Sequence, residues 1–135
     1  MKNILILFAA LALLTSCGKD GAPGAQGPAG NANVQSFVYN TSTWGYNSLY
    51  NYYYADLPVP EINNSVINGG TVQVFEGDQQ SGSTNWYALP YSFNGHEVSY
   101  LISYGNVRVE ISKSNGTVGA PSGIYQYKVV VIPPI

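Results

Sequence analysis

Residues 94–112 read NGHEVSYLISYGNVRVEIS. Val107, Val109 and Ile111 alternate with Arg108, Glu110 and Ser112, the period-2 pattern of a strand with one buried face. Just upstream, Val98, Tyr100, Ile102 and Tyr104 share one face of residues 97–104. Asn94-Gly95 and Gly105-Asn106 punctuate the stretch. Both pairs suit two-residue hairpin turns, which demand positive φ. The segment therefore predicts antiparallel strands in immediate succession.

Working outward, strands are predicted at 35–40, 50–57, 71–76, 85–93 and 125–132, in addition to 97–104 and 107–112. Val72 and Val74 mark the buried face of 71–76. A polar loop over 78–83 leads into 85–93, so residues 71–112 predict a four-stranded antiparallel meander. Residues 113–123, with Asn115-Gly116 and Ala120-Pro121, predict a further loop. All 12 Tyr and all 13 Val lie after residue 33, and such residues suit a pleated, half-buried surface. One short helix is predicted over 60–67. Pro60 suits its first position, Glu61 its positive end, and Gly69 its stop. This helix would carry the chain from one sheet to another. The fold expected for 34–135 is all-β: an antiparallel two-sheet sandwich of about seven strands.

The N-terminus reads as an address. Lys2 precedes an unbroken apolar run over residues 4–14. Eleven residues are too few for a hydrocarbon core of about 30 Å, which takes roughly 20, but they match a signal-peptide core. Leu14-Thr15-Ser16-Cys17 then resembles the lipobox of bacterial lipoproteins. In that family the Cys thiol carries diacylglycerol and the leader, here 1–16, is removed. One acyl chain holds a protein only marginally, whereas two or more hold it durably. The alternative, an ordinary secretory leader, leaves the chain's one Cys at the lipobox position by chance. Lys19-Asp20 resembles the short Lys-plus-acid signal of some surface lipoproteins of Bacteroidetes. An outer-membrane, surface-exposed protein is expected, with a periplasm-facing anchor as the other placement.

Residues 17–33 form the next unit. Gly18, Gly21, Gly24, Gly27 and Gly30 recur every third residue, with Pro23 and Pro28 between them. Collagen needs this period because only Gly fits the axis of three polyproline chains. The block reads either as an extended spacer or as a stalk that makes a homotrimer. Extended at about 3.1 Å per residue, residues 18–32 would reach roughly 45 Å.

Cys17, the Gly-X-Y block ending in Gly30-Asn31-Ala32-Asn33-Val34, the run Tyr52-Tyr53-Tyr54-Ala55-Asp56-Leu57-Pro58, the run Asn85-Trp86-Tyr87-Ala88-Leu89-Pro90-Tyr91 and the C-terminal Tyr127-Lys128-Val129-Val130-Val131-Ile132 together carry a likeness. The chain resembles a group of small collagen-like lipoproteins from Bacteroidetes-type bacteria. That resemblance implies an exported, lipid-anchored, all-β protein. It carries over no catalytic or ligand-binding residue.

Composition narrows the chemistry. Five basic and seven acidic residues leave no electrostatic footprint for nucleic acid. One Cys and one His exclude a Cys/His zinc site within a single chain. No phosphate-binding loop, dinucleotide fingerprint or nucleophile elbow occurs, and no cofactor is expected. His96 reads as a solvent-facing turn-edge residue. Asp56, Glu61, Glu76, Asp78, Glu97 and Glu110 offer carboxylates for glycoside hydrolysis, but none is singled out as a pair, and a solvated surface is expected. Glu76-Gly77-Asp78 reads as an acidic turn rather than a calcium loop. The aromatic residues are the remaining signal. Tyr50, Tyr52 and Tyr54 alternate on a predicted strand, with Trp44 before them and Trp86 on another strand. Exposed, these five could stack on sugar rings or anchor a partner; buried, they would fill the core. The expected role is non-enzymatic: structural or adhesive display at the cell surface. Carbohydrate binding through Trp44, Tyr50, Tyr52, Tyr54 and Trp86 is the alternative. The expected partners are the membrane, through the N-terminal lipid, and a glycan or protein at the surface.

Overall fold

The computed structural model describes residues 33–78, 85–114, 116 and 118–134. The signal peptide, Cys17, the Gly-X-Y block and most of the 78–83 loop lie outside the described residues. Within them the chain forms β1 (Gln35–Thr41), β2 (Gly45–Asn47), β3 (Tyr52–Pro58), α1 (Asn64–Gly69), β4 (Thr71–Asp78), β5 (Asn85–Ala88), β6 (Tyr91–Phe93), β7 (His96–Ser103), β8 (Asn106–Lys113) and β9 (Tyr125–Ile132). They make two antiparallel sheets. One runs β1-β9-β4-β5 and the other β2-β3-β8-β7-β6. The all-β two-sheet fold is the one expected, with nine described strands instead of seven.

The alternation that opened the sequence reading holds. Val107, Val109 and Ile111 on β8 are buried, and Asn94-Gly95 turns with both φ positive. The second hairpin shifts by one residue. Ser103 pairs with Asn106, so the turn is Tyr104-Gly105, and Gly105 supplies the positive φ. Tyr104 is therefore exposed in a turn rather than on the inner face with Tyr100.

The four-stranded meander over 71–112 does not form. The strand expected at 85–93 breaks at Leu89-Pro90 into β5, paired with β4, and β6, paired with β7 in the other sheet. Proline has no N–H to give a ladder, so it ends the pairing on one sheet. Leu89 is still held by its N–H to the Val74 carbonyl at 2.9 Å and is buried. The segment 42–44 makes a similar passage from β1 to β2. β2 was expected as loop; its three residues pair with Tyr52, Tyr53 and Tyr54. Tyr54 lies over Gly45, where any side chain would collide with the ring.

The helix crosses between the sheets as expected but begins later. Asn63 caps it, its Oδ1 accepting from the Ser65 and Val66 backbone N–H groups. That local bond outweighs the preference of Pro60 for a first turn; Pro60 and Glu61 occupy the turn before it. Gly69 is the last helical residue and Gly70 the cap, its N–H reaching the Val66 carbonyl. A Cβ on Gly70 would stand 2.6 Å from the Ile132 carbonyl oxygen, so the helix can leave close to β9 only through glycine. The crossing is fastened to the β7–β8 turn. Val59 N–H donates to the Gly105 carbonyl, and Gly105 N–H donates to the Ile62 carbonyl.

Inner faces of both sheets meet in a core of Val72, Val74, Val107, Val109, Val129 and Val131, closed by Ile62, Val66 and, from the loop after β8, Val118. Two inward tyrosines tie the layers together. Tyr39 on β1 donates its hydroxyl to the Pro58 carbonyl at 2.7 Å. Tyr100 on β7 donates to the Val72 carbonyl at 3.2 Å. Tyr127 on β9 is fully buried, and its hydroxyl has no hydrogen-bond partner among the described residues. Removing a made bond costs about 0.5–1.5 kcal/mol, whereas removing a buried unpaired hydroxyl relieves a desolvation penalty. Tyr39→Phe should therefore lower stability by about 1 kcal/mol and Tyr127→Phe by less. Urea unfolding midpoints of the two variants check the contrast.

Candidate functional site

The five aromatic residues expected to act together are dispersed. Trp44 points into the sandwich, its ring 5.2 Å from Tyr125 and 6.4 Å from Tyr127, edge to face. It packs, partly buried, on the core. Tyr50 stands in the β2–β3 turn, outside the strand it was assigned to, and is exposed. Tyr52 and Tyr54 do share the outer face of β3, their rings 6.2 Å apart. Both are engaged: Asn47 donates to the Tyr52 hydroxyl, and the Arg108 guanidinium lies 4.3 Å from the Tyr54 ring centre. Arg108 also forks onto Asp56 through Nε and Nη2 at 2.8 and 2.9 Å. That bond holds the Asp56 carboxyl below its ordinary range. Trp86 is on the other sheet, 4.3 Å from the Lys128 ammonium, which also lies 4.8 Å from Phe75. His96 is exposed at its hairpin, as expected.

A different cluster forms where the chain changes sheets. Beyond Leu89-Pro90 the edge strands β5 and β6 belong to opposite sheets, and their inward residues meet through Tyr87 and Tyr91 without filling the end of the sandwich. They leave a cleft of about 800 Å³. Its walls include Tyr87 from β5, Tyr91 and Phe93 from β6, Ile124 and Tyr125 at the start of β9, and Glu76 from β4. Phe93 is 68% exposed and Ile124 70%, so the walls are open to solvent. The Tyr87 and Tyr91 rings are 6.3 Å apart.

Glu76 corrects two expectations. The strand expected to end at Glu76 runs on through Asp78, so Glu76-Gly77-Asp78 is no acidic turn, and Glu76 is not a solvated carboxylate. It shares the inward parity of Val72 and Val74 and pairs with Tyr87 across β5 and Tyr127 across β9. Its Oε2 is buried with no hydrogen-bond partner among the described residues. Burial pushes its carboxyl above the ordinary range, against the opposing pull of the Tyr91 and Tyr127 hydroxyls. The Tyr127 hydroxyl acts through its proximity, without closing a bond of normal geometry. In return, burial and the neighbouring carboxylate push Tyr91 up to about 12. Among the described residues no three of His, Cys, Asp and Glu gather in a way that could hold a metal ion. A smaller hollow of about 290 Å³ lies at the helix end, lined by Asn33, Gln35, Glu61 and Asn63.

The cleft was missed because its residues lie on four separate strands or their flanks. Two signals did point to it. Pro90 interrupts a strand pattern, and Glu76 continues the inward parity of Val72 and Val74. Comparison with known proteins finds no matching family model, no matching curated protein and no matching solved structure.

A carboxyl whose folded value is raised binds its proton more tightly in the folded chain than in the unfolded one. Stability then falls as pH rises from the unfolded carboxyl value, about 4.3, through the folded one. Glu76→Gln should remove this dependence and leave the variant no less stable than the parent at pH 7. Urea unfolding of both proteins at pH 4.5 and 7 measures it.

Proposed function

We propose that the chain is a lipid-anchored cell-envelope protein that displays a non-catalytic β-sandwich for adhesive or structural interaction at the cell surface. Residues 1–16 serve as the leader, Cys17 as the lipidated residue and the Gly-X-Y block as a spacer. The observation that best supports this is the polarity of the sandwich. Gln35 pairs with Val131 at one end of β9, whereas Gly77, beside the cleft, pairs with Gln126 toward the other. Five residues of strand put about 17 Å between those levels. A tether that joins at residue 33 would thus turn the aromatic cleft away from the membrane.

Carbohydrate binding is the second reading. The exposed rings of Tyr87 and Phe93 in an open cleft favour it, and they replace the dispersed Trp44, Tyr50, Tyr52, Tyr54 and Trp86 as its platform. Methyl glycosides and a glycan array test it.

Cys17→Ser should release the protein from the membrane fraction, and proteinase K added to intact cells should remove the parent protein. Continued tight retention of the variant, or full protection of the parent, counts against surface anchoring. Trimerisation has its own measurement. If the Gly-X-Y block winds with two others, a chain starting at Gly18 sediments as a trimer and one starting at Val34 as a monomer. Monomers in both cases make the block a plain spacer.

A further inference from the structure

The cleft has a charge as well as a shape. Glu76 and Asp78 line it, and no Lys or Arg does among the described residues. Around Glu76 stand the side chains of Tyr87 from β5, Tyr91 from β6, and Tyr125 and Tyr127 from β9. The Glu76 Oε2 is shut off from solvent and closes no hydrogen bond among the described residues, so the carboxylate is only partly compensated by the nearby Tyr91 and Tyr127 hydroxyls, a costly state for a charge. A neutral hydroxyl in the cleft would leave that charge uncompensated. An ammonium group would supply a counter-charge to the carboxylate and present polarised C–H or N–H groups to the tyrosine faces, which attract cations through the ring quadrupole. The fold already uses this contact elsewhere: Lys128 lies over Trp86 and Phe75, and Arg108 over Tyr54.

We propose that the cleft between β5 and β6 is a binding site for an alkylammonium group, with Glu76 as counter-ion and Tyr87, Tyr91 and Phe93 as the aromatic walls. The site deepens the reading of the sandwich as a display domain, because it names the chemistry by which a displayed domain would hold its partner. A primary ammonium on a lysine side chain and a methylated ammonium on a headgroup share that chemistry. A bound cation also favours the ionised carboxylate, so affinity rises with pH as Glu76 loses its proton. Tyr91 is held protonated by the same carboxylate and does not compete in that range.

The test is calorimetric titration of the full chain in a nonionic detergent. The probes are tetramethylammonium and butylammonium chloride, with tert-butanol and 1-butanol as neutral partners of similar shape. Saturable binding of at least one cation is expected, together with a loss of about tenfold in Glu76→Gln, the scale of one contact with a charged group in a cleft open to solvent. Phe93→Ala, at an exposed position, should weaken binding without disturbing the fold, which circular dichroism checks. Weaker binding at pH 5 than at pH 8 is the third expectation. Absence of binding, equal binding of the neutral partners, or an affinity unchanged in Glu76→Gln overturns the proposal. If methyl glycosides bind and the cations do not, the cleft is a sugar site instead. None of these outcomes bears on membrane retention through Cys17, which is measured separately, so the two readings fail independently.

Discussion

Everything in this fold depends on two valine-lined sheet faces being held in contact by a chain that keeps changing sides. β1 belongs to one sheet, β2 and β3 to the other, β4 and β5 to the first, β6 to β8 to the second, and β9 returns. Four passages therefore have to be made without leaving buried backbone groups unpaired, because an orphaned peptide group costs as much as a lost hydrogen bond. The passage through α1 shows how it is done. Val59, Ile62 and Gly105 exchange backbone bonds, Asn63 caps the helix and Gly70 lets it leave close to β9.

Tyrosine reconciles this architecture with a small core. A valine interior closes the middle of the sandwich, but the space widens toward the edges. Tyr39 and Tyr100 fill it with a ring and end on a carbonyl of the opposite layer. Tyr125, Tyr127 and Trp44 fill it near the β1–β2 passage by edge-to-face packing. At the other passage, between β5 and β6, the same kind of residue does not close the gap, and the open remainder is the cleft. Core and candidate site are thus two outcomes of one design, divided by whether the rings fill the space between the layers.

Much of the sandwich was legible because alternation is a local property. Val107, Val109 and Ile111 announce their buried face within five residues, and Asn94-Gly95 announces its turn within two. Sheet membership is not local. Nothing in the alternation of residues 85–93 says that its halves pair with different partners; only Pro90 hints at it, through its missing N–H. β2 was missed because three residues around a glycine carry almost no periodic signal, and its pairing depends on Tyr54 covering Gly45. The site was less legible still. Tyr50, Tyr52 and Tyr54 stand out because they are adjacent, while Glu76, Tyr91 and Tyr125 become neighbours only after the layers are stacked. Adjacency in sequence and convergence in space selected different tyrosines.

The register of β1 against β9 has a mechanical consequence. Seven residue pairs join them, from Gln35 with Val131 to Thr41 with Tyr125. A pull delivered at residue 33 and resisted at the opposite pole of the sandwich would run along this ladder rather than across it. Load in that direction is shared by all the rungs at once, as shear, instead of opening them singly like a zip. A sandwich loaded between residue 33 and its far pole would resist tension through the whole ladder.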